Sequence, residues 1–217
     1  MNKNQLGLVS RVIFKGPRYW PVWRHCFIDG WLGIREAVAL YDLARGLPEK
    51  NPVIVEIGSW VGKSSVVLGK GVRQKTAPAL YCIDPFNAES DAESQLPNVA
   101  ARMRAPLRTV FERNIRRAGV ASTIRILQGM SFEFADKIQV PIDLLFIDGN
   151  HSYDSALRDY LDWAPLVRRG GIIAFHDVVV NQEAQGPLRV VMEKLWNNPE
   201  WIDHEHVQTL YYARKRH

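Results

Sequence analysis

The segment Val55-Glu56-Ile57-Gly58-Ser59-Trp60-Val61-Gly62-Lys63-Ser64 opens as a buried strand, ends near an acid and turns through two glycines before a helix begins. Pro52 to Ile57 is a short apolar run, and Ser64 to Val72 has helical spacing, so the unit reads strand, loop, helix. Glycines at 58 and 62 permit a tight turn and close backbone approach, and the first turn of the next helix offers free amide donors. Such a loop suits a nucleotide-like ligand. A dinucleotide oxidoreductase would carry G-x-G-x-x-G, but Trp60 stands two residues after Gly58, too large for close approach of a pyrophosphate. The phosphate-cradling form G-x-x-x-x-G-K-[ST] needs one more residue between its glycines than Gly58 and Gly62 provide.

Outward from this unit, short apolar runs recur. Ala79 to Ile83 stops at Asp84-Pro85, and Thr123 to Leu127 stops at Gln128-Gly129. Ile142 to Ile147 and Gly171 to Phe175 are almost wholly apolar, as strands covered on both faces are. Helical spacing marks Ile34 to Ala44, Leu107 to Ala118, Tyr153 to Val167 and Leu188 to Trp196, and His206 to Arg214 suits a closing hairpin. Strands alternating with helices predict an α/β fold, a doubly wound and mostly parallel sheet with helices on both faces. The expected organisation is a basic, aromatic N-terminal arm over 1–29 and one domain over 30–217, with residues 87–119 inserted on the acceptor side.

The composition fits that picture. A chain of 217 residues, 47% of them hydrophobic, supports one core. Cys26 and Cys82 lack metal-ligand or disulfide-framework spacing. No apolar run is long enough for a signal core or a membrane span, so a cytoplasmic protein is expected. Lys3, Arg11, Lys15, Arg18 and Arg24 all precede the first acid, Asp29, and account for the net charge of +5. Tyr19, Trp20, Trp23 and Phe27 are interleaved with those cations, which suits either a docked arm or contact with an anionic membrane or acidic partner. No motif for nucleic acid accompanies the charge. A homo-oligomer remains open.

Beyond the loop, four further motifs follow in order. They are Gly30-Trp31-Leu32, Tyr81-Cys82-Ile83-Asp84, Phe146-Ile147-Asp148-Gly149-Asn150-His151-Ser152-Tyr153 and Gly170-Gly171-Ile172-Ile173-Ala174-Phe175-His176-Asp177. With the glycine loop, they resemble class I S-adenosylmethionine-dependent methyltransferases, in a bacterial subfamily related to catechol and macrolide-sugar O-methyltransferases and to cephalosporin-hydroxylase-like proteins. The resemblance implies a Rossmann-like sheet of seven strands with the last antiparallel. It places Glu56, Gly58, Ser59 and Ser64 around the methionine end of the cofactor, Asp84 on the ribose, and Met130 and Ser131 at the adenine. Trp60, Gly62 and Asp148 complete the implied cofactor set. As a purely local alternative, Asp84 would only form a turn before Pro85.

The reaction so implied is displacement at a methyl already activated by a sulfonium, which needs alignment and, for a hydroxyl acceptor, loss of a proton. The expected acceptor is a small polar or sugar-like molecule. Asp148, His151, His176 and Asp177 lie at the ends of the fourth and fifth strands, where such a sheet binds ligands. In metal-dependent relatives, the positions of Asp148, His176 and Asp177 hold magnesium. An imidazole at 176 suits manganese, iron or zinc better. A metal-free arrangement, with Asp148 orienting His151 or His176, competes, and His151 is the expected base. Bland roles also exist: His151 as a helix cap and His176 as a satisfied core histidine. Trp31 and Trp60 flank motifs and are the better stacking candidates than Trp20 and Trp23, while Trp163, Trp196 and Trp201 read as packing residues. The rival functions are a nicotinamide-dependent oxidoreductase and a non-catalytic cofactor-binding or membrane-peripheral module.

Overall fold

The computed structural model describes residues 16–88, 100, 101, 103, 105–180 and 186–217. The cations Lys3, Arg11 and Lys15 and the middle of the 87–119 connection lie outside them.

Seven strands form one sheet: β1 (Val53–Ile57), β2 (Ala79–Asp84), β3 (Ile124–Gln128), β4 (Ile142–Ile147), β5 (Val167–Phe175), β6 (Trp201–Val207) and β7 (Leu210–Lys215). Their order is β3-β2-β1-β4-β5-β7-β6. Strands β1 to β5 are parallel, and β7 runs antiparallel to both neighbours. Every residue of β4 is buried, which accounts for its unbroken apolar character apart from Asp143. That carboxylate is satisfied by the Val53 amide at 2.7 Å and by the Arg168 guanidinium.

One face of the sheet carries α1 (Ile34–Arg45), α2 (Lys63–Val72) and α3 (Leu107–Ala118), and the other carries α4 (Tyr153–Trp163) and α5 (Gly186–Val191). A 3₁₀ segment, Pro17–Phe27, packs on α2 and α1 and buries Val22, His25 and Cys26. This much of the expected arm is docked. Both cysteines are free and buried.

Four local expectations change. β5 begins at Val167, because its register jumps from Ile142↔Val167 to Leu144↔Ile172 and Gly170 absorbs the bulge at φ +73°. α4 stops at Trp163, since Pro165 lacks the amide needed to continue and the chain passes through a 3₁₀ turn over Ala164–Leu166. The closing hairpin starts at Trp201 rather than His206. Trp163 and Trp201 are buried as packing residues, whereas Trp196 is exposed in the π turn Met192–Trp196 after α5.

Candidate functional site

The strand order reverses direction between β1 and β4, which opens a crevice beyond their carboxyl ends. The loops after these two strands supply its floor. Gly58 adopts φ +86°, and a Cβ there would lie 2.0 Å from the Asp148 carbonyl oxygen. Gly62, at φ +89°, would bring a Cβ to 3.0 Å from the Phe111 ring of α3. Both glycines are therefore demanded by the protein's own packing, a reason the sequence alone did not reveal.

Glu56 lies beneath the loop and is fully buried. Its Oε2 accepts hydrogen bonds from Ser59 Oγ at 2.8 Å and from Ser65 Oγ, with Ser64 and Cys82 also against the carboxyl group. Burial pushes its pKa up, and Oε1 has no hydrogen-bond partner. Glu56, Ser59 and Ser64 thus form the support of the loop more than its exposed wall. Ser65 was not singled out in the sequence, and only its position one turn into the helix after the loop could have suggested it.

Asp84 ends β2 and ties the loop to the sheet. Its Oδ2 accepts from the Trp60 amide at 2.7 Å, and its Oδ1 accepts from the Phe86 amide at 2.6 Å. The second contact is the local turn expected before Pro85; the first crosses 24 residues and serves the loop. The Ser59 amide also faces this carboxylate, which still keeps acceptor capacity for a ligand hydroxyl beyond the three amides. Trp60 is held at φ +48°, with its indole nitrogen buried and unpartnered. Trp31 is exposed, and the preceding Gly30 carbonyl accepts from Lys63 Nζ at 2.6 Å. Further along the same edge, Met130 is exposed and Ser131 donates to Asp159, whose carboxyl burial pushes up to about 6.

The second cluster centres on His176, at the end of β5. Its Nδ1 is 3.1 Å from Asp148 Oδ1 and 3.2 Å from Asp177 Oδ2, while its Nε2 is 3.5 Å from Glu36 Oε2 and 3.4 Å from Thr209 Oγ1. Burial alone would lower its pKa, but the surrounding carboxylates outweigh it and hold His176 protonated well above the usual histidine value. His151 Nε2 lies 3.1 Å from Asp177 Oδ2, and the ring is about one-third exposed, at 37%. Burial would raise Asp177, but His151 and His176 outweigh it and hold the carboxyl well below the usual range. The loop bearing His151 is clamped by α5: a Cβ on Gly186 would fall 2.3 Å from the His151 carbonyl oxygen.

A model of a methyltransferase domain matches residues 55–178, from β1 to just past Asp177. This chain belongs to the methyltransferase-domain family. An uncharacterized protein of Acanthamoeba polyphaga mimivirus is 27% identical over 138 residues, which span 64% of this chain and 57% of that protein. Cofactor-bound Rv0187 from MTB is similar in fold at a TM-score of 0.67 and 18% identity, covering 100% of this chain and 98% of that one. The O-methyltransferase TomG from Streptomyces achromogenes, solved with SAM, gives a TM-score of 0.64 at 16% identity, with 100% of each chain covered.

In this domain the expected metal set of Asp148, His176 and Asp177 meets at the His176 ring, whose Nδ1 faces both carboxylates. Its Nε2 is turned to Glu36 and Thr209, so both ring nitrogens are engaged within the protein. A group of possible metal donors gathers at Asp148, His151 and Asp177, with one ligand atom from each lying within 4.8 Å of the others. Of the two histidines, His176 lies against Asp148, and His151 takes Asp177 as a partner. Glu36 and Thr209 were missed. Glu36 sits on α1, just past the Gly30-Trp31-Leu32 motif but outside it; its Oε2 accepts from the Gly33 amide at 2.6 Å and its Oε1 accepts from the Thr209 amide at 2.9 Å. The S/T-x-x-E capping pattern that would reveal such a glutamate is absent, because glycine occupies its first position.

Proposed function

We propose that this methyltransferase uses S-adenosylmethionine to methylate a hydroxyl of a small polar or sugar-like acceptor, with His151 as the base. The observation that carries this reading is the His151–Asp177 pair, accessible and 3.1 Å apart, at the crevice opposite the Gly58 loop. The solved TomG, an O-methyltransferase in complex with SAM, supports the choice of cofactor and of oxygen as the acceptor atom.

When bound, S-adenosylmethionine supplies a methyl group already activated by its sulfonium. The buried, unpartnered Glu56 Oε1 and the remaining acceptor capacity of Asp84 fit such a ligand, the first near its methionine end and the second at its ribose. In this reading, Ser59, Ser64, Trp60 and Gly62 shape the loop around the cofactor, and Met130 and Ser131 border the adenine. His151 accepts the acceptor's proton, while Asp177 pairs with its Nε2 and stabilises the imidazolium formed. His176 keeps Asp148 and Asp177 apart and oriented.

A second arrangement is favoured by the gathering of Asp148, His151 and Asp177, which would hold a divalent ion of the manganese, iron or magnesium class. Two carboxylate oxygens and one imidazole suit manganese or iron better than magnesium. Bound there, the ion would lower the pKa of the acceptor hydroxyl.

The deciding experiment is methyl transfer from labelled S-adenosylmethionine to a panel of hydroxylated acceptors, run with and without chelator. Turnover that survives chelation and falls with His151→Ala assigns His151 as base. Turnover abolished by chelation and restored by manganese assigns the metal arrangement. Transfer only to nitrogen or carbon acceptors overturns O-methylation.

A further inference from the structure

Away from the crevice, the outer surface of the first helical layer carries cations without partners. Pro17–Phe27 and α3 enclose a cleft of about 250 Å³, walled by Trp23 and Phe27 and lined by Arg24 and Arg117. The Arg24 guanidinium lies 4.7 Å from the Trp23 ring centre. Lys70 on α2 is close enough to Arg73 and Arg24 to feel both charges. Arg73 in turn reaches Gly119, where its Nη1 would lie 3.7 Å from an added Cβ, next to the Ala118 end of the cleft. Arg24 and Arg117 thus line the cleft, with Lys70 and Arg73 beside it.

Several surface arginines elsewhere are paired with acids. Arg18 meets Asp42, Arg108 and Arg116 share Glu112, Arg158 meets Asp162 and Arg189 meets Glu193. Among the described residues, none of the four cations at the cleft has a carboxylate within 4.0 Å. The nearby acids are committed: Glu112 to its two arginines, and Asp29 toward Lys63. Such a cluster repels itself unless an external anion answers it.

The same region exposes apolar rings. On Pro17–Phe27 itself, Trp20 and Phe27 are two of the five exposed large aromatics among the described residues, Trp31, Phe132 and Trp196 being the others. Immediately before this segment, the sequence adds Lys3, Arg11 and Lys15 with Leu6, Leu8, Val9, Val12, Ile13 and Phe14, and no acid. Cations alternating with aromatic and aliphatic residues match the composition of an interfacial anchor, whereas an arm for nucleic acid would carry cations among polar residues.

We infer that this face, made by Pro17–Phe27 and the C-terminal turns of α2 and α3, docks the protein on an anionic lipid bilayer. The arginines meet headgroup phosphates, and Trp20, Trp23 and Phe27 enter the headgroup layer. The inference is independent of the catalytic reading. It is tested by sedimenting the full chain with phosphatidylcholine vesicles, with and without phosphatidylserine, at low and high salt. The expected result is pelleting only with phosphatidylserine, reversed by salt. The double variant Arg24→Gln/Arg117→Gln should weaken partitioning about 25-fold, at about fivefold for each surface charge removed, with thermal midpoint and cofactor affinity unchanged. Equal binding to neutral vesicles, no pelleting with either, or a double variant that partitions like the unaltered protein overturns it. So does retention on heparin without vesicle binding, which would give the cations to a soluble polyanion.

Discussion

His176 is surrounded by Asp148, Asp177 and Glu36, and it neutralises a site that would otherwise hold like charges together. His176→Ala should lower unfolding free energy by about 3–5 kcal/mol, because it strands buried carboxylates, and urea denaturation measures the loss. The pH dependence follows from the directions of the shifts. His176 is raised, so its contribution is complete below about 6.5 and fades as pH climbs through its higher folded value. For Glu36, burial would raise the pKa, but the hydrogen bonds from His176 and Thr209 outweigh it and bring the group to about 2. Its contribution is therefore present above about 4.5 and lost as pH falls toward 2. The stability gap between the unaltered protein and Glu36→Gln should stay level from neutral pH to about 5, then close with further acidification; a gap that widens in acid would refute the assigned partners. Gly58→Ala is expected to cost about 3 kcal/mol or prevent folding, since it sets a side chain against the Asp148 carbonyl in a left-handed conformation. At this scale the sequence was only partly legible. It marked His151, His176, Asp148 and Asp177 as a group, but which ring met which carboxylate depended on side-chain direction, and Glu36 was brought in by tertiary contact alone.

The loop between β1 and α2 is held from below by Glu56 and from the side by Asp84. Removing Asp84 should therefore do two things. Asp84→Ala is predicted to weaken binding of S-adenosylmethionine by about 1.5–3 kcal/mol in calorimetry, through loss of the hydrogen bonds to a charged group. It should also increase amide exchange at Trp60, whose N–H it frees. Unchanged affinity would show that the carboxylate serves the loop alone. Element types were readable because apolar runs of strand length alternated with helical spacing, and the bounds of α3 and β4 came out as expected. Where the reading slipped, a local irregularity was responsible. The run Val167-Arg168-Arg169-Gly170 hides a strand because its two arginines interrupt the apolar pattern and a bulge displaces its register.

For the whole molecule, the seven strands and the antiparallel β7 follow the resemblance, and the strand order reverses between β1 and β4. The sequence conveyed this architecture because its motifs fall at successive strand ends. It could not convey the cationic cleft, whose residues come from three separate elements and share no motif. No helix among the described residues is long and apolar enough to cross a membrane. The central claim is that the crevice takes S-adenosylmethionine. Calorimetric titration with its demethylated product and, separately, with NAD tests this most directly: the product should bind at one site per chain and NAD should give no heat of binding. Binding of NAD with none of the demethylated product would contradict it.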